Sequence, residues 1–115
     1  MSAVFKPRAG ERDSGFINKE EKVVEVNEYF DGKVKSLVVH SSTGKKTVGV
    51  MQLGEYEFDT QTKEAITVIA GEFSVYFAEY DEWEDFGAGA SFEIPANSKF
   101  KVKVTQDTAY LCEYL

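Results

Sequence analysis

The clearest pattern in the chain is a short-range alternation of apolar and polar residues. Tyr56 and Phe58 alternate with acidic neighbours, and the segment 99–104 alternates Lys with Phe or Val. A period of two is typical of a β-strand with one buried face. We therefore expect strands at both places, with Phe100 pointing inward and its lysine neighbours forming a solvated face or guarding an edge strand.

Other short apolar segments, each bounded by turn-forming residues, predict further strands at 33–40, 47–51, 65–70, 73–77, 91–94 and 110–115. The first two flank the turn at 41–44 and predict a hairpin. Residues 79–85 contain five carboxylates and are expected to form an acidic loop. Seven or more short strands without helical periodicity predict an all-β sandwich or barrel.

Charge divides the chain into two parts. Residues 1–22 carry nearly balanced charges and no sustained period, which predicts a flexible or loosely docked N-terminal extension. Residues 23–115 carry the strand pattern and predict a single β domain. With 115 residues, of which 43% are hydrophobic, the chain is large enough for one packed core.

Composition excludes several classes of function. The net charge of −7 argues against nucleic acid as the main partner, because phosphate binding needs a basic face. No apolar run reaches the roughly 18–20 residues of a membrane span. The first residues lack the apolar core of a secretory signal, so a cytoplasmic location is expected. One cysteine, Cys112, leaves no internal disulfide.

Single reactive side chains give little direct chemistry. The chain has one histidine, His40, which lies beside the polar turn at 41–44 and is expected in solvent. Cys112 lies in an apolar alternation and is expected to be a small buried hydrophobe. A site built from several histidines is therefore excluded.

Two glycine-bounded spacings resemble the motifs of the cupin superfamily, which are small jelly-roll β-barrels. Glu64 precedes Gly71 by seven positions, and Gly89 precedes Pro95 by six. In metal-binding cupins three histidines accompany these motifs. The corresponding positions here are Phe58, Thr60 and Phe100. Glu64 alone remains, and one carboxylate does not hold a catalytic transition metal well.

A longer resemblance covers about residues 23–115. It is carried by NEYFDGKVKS at 27–36, SSTGKKTVGVM at 41–51, GEYEFDT at 54–60, EAITVIAGE at 64–72, the 83–89 segment, FEIPANSKF at 92–100 and the terminal YLCEYL. Together these strings resemble the pyrimidine/purine nucleoside phosphorylase family, which are small cupin-like enzymes. The resemblance implies one cupin-like jelly-roll β-barrel preceded by a short extension.

The same resemblance implies an activity. Family members are pentosyltransferases that split purine and pyrimidine ribonucleosides with inorganic phosphate, giving the free base and α-D-ribose 1-phosphate. It implies no metal or other cofactor, with phosphate as co-substrate. It also favours a homodimer, as does the habit of small jelly-roll domains of closing exposed strands by pairing.

The residues themselves suggest roles in such a reaction. Glu64 is the candidate catalytic group, because an anion beside the sugar stabilises a cation-like ribosyl state. The candidate substrate-binding residues are the inward-phased ones: Tyr56, Phe58, Thr60 and Phe100. Phosphate needs donors, for which the candidates are Lys35, Ser41, Ser42 and Thr43, with Lys45 beyond the turn.

Two other hypotheses about the function remain open at this point. A cupin module that binds a small molecule without turnover would show the same aromatic interior. A metal-dependent cupin oxygenase or isomerase is disfavoured by Phe58, Thr60 and Phe100 at the ligand positions.

Overall fold

The structure is a computed structural model that describes residues 23–115. Ten strands occur in this range, and a 3₁₀ turn at Phe30–Gly32 joins the first two. The strands are β1 Val26–Tyr29, β2 Val34–Ser41, β3 Gly44–Met51, β4 Gly54–Asp59, β5 Glu64–Ala70, β6 Glu72–Phe77, β7 Glu82–Gly87, β8 Ser91–Ile94, β9 Lys99–Val104 and β10 Thr108–Tyr114.

The strands form two antiparallel sheets. One has six strands in the order β1-β2-β3-β10-β5-β8, and the other has four in the order β4-β9-β6-β7. From β4 onward the chain passes back and forth between the sheets, except that the consecutive strands β6 and β7 pair within the four-stranded sheet. The all-β prediction is confirmed, but the hydrogen-bonded ladders remain two sheets and do not close into a barrel.

Strand alternation decides which side chains enter the core. In the β2–β3 hairpin, Val34, Ser36 and Val38 are buried while the residues between them are exposed. In the four-stranded sheet, Phe58 lies directly opposite Phe100. The two inner faces meet in one hydrophobic core, and rings contact across it. The inward phase predicted for the aromatic residues of β4 and β9 is confirmed.

Two local predictions are wrong in part. The acidic segment 79–85 is not all loop, since β7 begins at Glu82 and pairs with β6. The lysines of β9 are exposed as expected, but β9 lies inside its sheet and guards no edge.

The predicted extension, residues 1–22, lies outside the described residues. Within residues 23–115 no helix has the length and apolar character needed to cross a membrane.

Candidate active site

Glu64 is a carboxylate on the inner face of the six-stranded sheet. It is the first residue of β5 and is fully buried. The thiol Sγ of Cys112 on the neighbouring strand donates a hydrogen bond to Glu64 Oε1 at 3.3 Å. Glutamates are rarely buried so completely. Because this carboxylate is fully buried and in contact with a buried donor, we treat it as a candidate catalytic group and not as an ordinary surface carboxylate.

Polar groups continue from Glu64 across the inner face of the sheet. Tyr114 on β10 lies directly opposite Glu64, and its hydroxyl is 3.3 Å from Thr47 Oγ1 on β3. Burial raises the pKa of the Cys112 thiol and of the Tyr114 hydroxyl. Both groups therefore keep their protons at neutral pH and can donate hydrogen bonds.

A second polar group lies farther along the same face. The side-chain amide of Asn27 donates to Ser36 Oγ at 3.3 Å, joining β1 to β2. The Tyr110 ring is fully buried beside them, and burial raises the pKa of its hydroxyl well above the ordinary value. The inner face of this sheet thus carries hydroxyls, an amide and a thiol where a purely structural core would be apolar.

A cavity of about 410 Å³ opens where loops of the two sheets meet. This volume lies within the range of small-molecule sites, roughly 300–1,000 Å³. Two rings, Phe77 and Phe100, form apolar parts of its wall. Its lining residues are Phe77, Ala78, Glu79, Ile94, Pro95, Ser98, Lys99 and Phe100.

The cavity adjoins Glu64 through β8. Ile94, which lines the cavity, is the residue paired with Glu64 in the sheet. Glu64 itself does not line the cavity; its two sheet partners are Ile94, which does, and Tyr114 on β10. Thr60 secures the same wall, since its hydroxyl donates to the Pro95 carbonyl at 2.6 Å and accepts from the Ser98 amide at 3.0 Å.

The predicted aromatic wall is divided by the structure. Phe100 lines the cavity, and Phe58 packs behind it with ring centroids 5.6 Å apart. Tyr56 belongs to the core, where its hydroxyl donates to the Gln52 carbonyl at 2.6 Å. Phe77 supplies a cavity wall that sequence reasoning missed. The signal that could have found it is its phase in β6, which it shares with the buried residues Phe73 and Val75.

The predicted phosphate donors are not brought together at Glu64. Lys35 lies on the outer face of β2, with its ammonium 4.0 Å from a carboxylate oxygen of Glu28. Ser41, Ser42 and Thr43 form the exposed β2–β3 turn, in which Ser41 Oγ donates to the Gly44 carbonyl at 2.9 Å; these are turn contacts.

The side chain of Lys45 lies near Tyr114, at the end of β10 that pairs with Glu64. Its Nζ lies 5.5 Å from the centroid of the Tyr114 ring, and Tyr114 is the sheet partner of Glu64. Lys45 has the same phase as the buried Thr47, so the alternation of β3 is a signal that could have favoured it over Lys35.

The described residues contain no group of three or more His, Cys, Asp and Glu side chains arranged to hold a metal. His40 is well exposed, as predicted, and lies 3.7 Å from a carboxylate oxygen of Glu25.

Comparison with known proteins decides the family. The model of the pyrimidine/purine nucleoside phosphorylase family matches residues 24–114. The chain belongs to this family. A relative of that name from Pseudomonas paraeruginosa is 56% identical over 89 residues, which are 77% of this chain and 96% of the relative. The resemblance predicted from the sequence is thus confirmed.

Solved structures agree with the fold of this family member. A protein of unknown function from Vibrio parahaemolyticus superposes with a TM-score of 0.78 at 41% identity, covering 82% of this chain and all of the other. A Cupin_2 domain of a transcriptional regulator from Enterobacter cloacae gives a TM-score of 0.55 at 15% identity, covering 71% of this chain and 95% of that domain. The fold is therefore cupin-like.

Proposed function

We propose that this protein is a nucleoside phosphorylase that splits purine and pyrimidine ribonucleosides with inorganic phosphate. The bond from the sugar C1′ to the base nitrogen breaks, and its electron pair leaves with the base. A phosphate oxygen forms the new bond to C1′, giving α-D-ribose 1-phosphate. The observation that carries the proposal is a fully buried Glu64 beside an aromatic-walled cavity, in a chain whose relatives bear this name.

Glu64 is proposed as the catalytic carboxylate. Cleavage of the bond to C1′ passes through a sugar that carries positive charge. A carboxylate in a site without bulk water stabilises that charge far more than one in solvent. Its oxygens can also accept hydrogen bonds from the ribose hydroxyls.

The cavity is proposed to hold the base between Phe77 and Phe100. Stacking on an aromatic ring contributes about 1–3 kcal/mol per base and does not depend on base identity. Such a wall suits an enzyme that accepts both purines and pyrimidines. Thr60 and Phe58 would not contact the base themselves. Thr60 holds the Pro95 segment through its hydrogen bond, and Phe58 packs against the Phe100 ring.

Replacing Phe77 with Ala should raise KM about tenfold for every nucleoside, because one stacking surface is lost. Initial rates measured against nucleoside concentration test this expectation. Trp83→Ala is the control, since Trp83 is an exposed aromatic residue on β7 that does not line the cavity. An unchanged KM in Phe77→Ala would remove the ring from the binding site.

For phosphate, we assign the ammonium role to Lys45 in place of Lys35, whose side chain lies on the outer face. The hydroxyls and backbone amides of Ser41, Ser42 and Thr43 are proposed to assist from the adjacent turn. A flexible ammonium next to several neutral donors is a common arrangement for phosphate.

The function is tested by incubating the protein with uridine, cytidine, adenosine, guanosine or xanthosine and separating the products by chromatography. Release of free base that requires phosphate is the expected result. Thermal stabilisation by nucleosides without any release would instead favour a binding module without turnover. We further propose that the reaction needs no metal, because Phe58, Thr60 and Phe100 occupy the positions at which metal-binding cupins have histidine ligands. Loss of base release on addition of a chelator would contradict this proposal. The cytoplasmic location stays a prediction.

We also propose that the homodimer forms through the outer face of the six-stranded sheet. Large apolar side chains on this face are between 37% and 51% exposed: Leu37, Val39, Val48, Val50 and Ile69. Leu37 lies directly opposite Val48, which makes the apolar surface continuous across strands. Contiguous exposed apolar surface on a folded domain commonly marks a protein interface.

Val50→Lys should therefore convert a dimer into a monomer, because the ammonium would be buried without a partner. Light scattering at micromolar concentration measures the mass. Leu53→Lys serves as the control, since Leu53 is similarly exposed but lies in the turn after β3. A monomer mass for the unsubstituted protein would contradict the proposal.

A further inference from the structure

The hydrogen bond between Cys112 and Glu64 joins residues that are 48 positions apart in the chain. Both side chains are fully buried, on adjacent strands and on the same inner face. The bond fixes one oxygen of the carboxylate. A glutamate has several rotatable bonds, so a donor at this place limits the positions that the carboxylate can take.

Cys112 is in turn held by its own neighbours. Thr47 lies directly opposite it on β3, and Thr47 Oγ1 is 3.3 Å from the Tyr114 hydroxyl on the far side. Burial raises the pKa of the thiol, which keeps it protonated at neutral pH. The thiol is thus the donor and the carboxylate the acceptor. Three strands contribute to this arrangement.

We propose that Cys112 is a positioning residue whose thiol holds the Glu64 carboxylate in the orientation used in catalysis. This inference rests on the proposed function of Glu64. It follows from the general requirement that a catalytic group be held rigidly by residues that do not touch the substrate themselves. A core position that served packing alone would be filled as well by Val, which is close to Cys in size and has no donor.

Three substitutions separate positioning from packing. Cys112→Ser keeps a donor, Cys112→Val keeps the volume without the donor, and Cys112→Ala keeps neither. We expect Val and Ala to lower kcat about tenfold with little change in KM, since a hydrogen bond to a charged group is lost. Ser should retain most of kcat. If Val matches the wild type while Ala does not, or if Ser loses as much as Val, the role is packing and the inference is overturned.

A second measurement does not depend on turnover. In protein labelled with ¹³C at the glutamate carboxyl, the Glu64 signal is assigned by its disappearance in Glu64→Gln. We expect this signal to move in Cys112→Val and to stay near its original position in Cys112→Ser. A signal unchanged in Cys112→Val would overturn the inference even in a protein with no phosphorolysis, whereas absence of phosphorolysis with the expected shift would overturn only the proposed function.

Val75→Ala is the control for general loss of stability. Val75 is fully buried in the other sheet and pairs with Val102, away from the cavity lining. This variant should lose stability through the cavity it leaves and retain kcat.

Discussion

Replacing Glu64 with Gln is expected to lower kcat for phosphorolysis about a hundredfold or more. The amide has nearly the same shape but no charge, so the positive charge on the ribosyl group loses its stabilising partner. Removal of one preorganised electrostatic group typically costs about 10²–10³ in rate. Steady-state kinetics with uridine and with adenosine measure the effect for a small and a large base.

Glu93→Gln is the matched control for this substitution. Glu93 lies on the neighbouring strand β8, but it faces outward and is paired with Lys63, with a 3.1 Å contact between the charged atoms. Exposed ion pairs contribute little to stability. Its kcat should therefore equal that of the wild type. A folded Glu64→Gln protein with unchanged kcat would remove the catalytic role from Glu64.

The second large effect is expected on stability, from Gly71→Ala. Gly71 lies between β5 and β6, where the chain passes from the six-stranded to the four-stranded sheet. Its φ is +94°, and an added Cβ would contact Thr108 Oγ1 and come within 2.8 Å of the Asp107 carbonyl oxygen. Thr108 cannot move away freely, because its Oγ1 accepts a hydrogen bond from the Glu72 amide.

We expect Gly71→Ala to lower the free energy of unfolding by at least about 2 kcal/mol, since backbone strain and overlap add. Urea unfolding followed by circular dichroism measures the change. At Gly87 an added Cβ meets no atom within 4 Å, so Gly87→Ala should change stability by less than about 0.5 kcal/mol. Equal stabilities of the two variants would contradict this account of Gly71.

The strands could be predicted because their signal is local. A hairpin needs two alternating segments and a turn, and the segment ending in Gly44 supplies the turn directly. The inward phase of Phe58 and Phe100 follows from the same alternation. Glu64 was singled out by its spacing from Gly71, which resembles a cupin motif, and the structure shows that it is fully buried. That spacing is information about a known fold and not about local strand propensity.

What could not be predicted depends on long-range arrangement. Strand β7 has no buried alternating face, so its pairing with β6 leaves no mark in the sequence. The central place of β10 is a property of sheet order, which no segment shows by itself. Lys35 lies in a segment whose two faces are both mixed, so its outward direction became visible only with the sheet.

The bond between Cys112 and Glu64 shows the same limit at the site. Cys112 was expected to be a buried hydrophobe, and it is buried, but its partner depends on β10 inserting beside β5. The sequence therefore indicated Glu64 as the candidate carboxylate but did not predict its hydrogen bond with Cys112.

The location of Trp83 makes the protein's own fluorescence informative about one part of the fold. It is the single tryptophan of the chain, and it lies on the outer face of β7 with the Lys103 ammonium 4.2 Å from its ring centroid. Its emission will therefore report the local unfolding of β7, which is an edge strand of the four-stranded sheet. Nucleoside titrations are better followed by heat release or by the absorbance of the base.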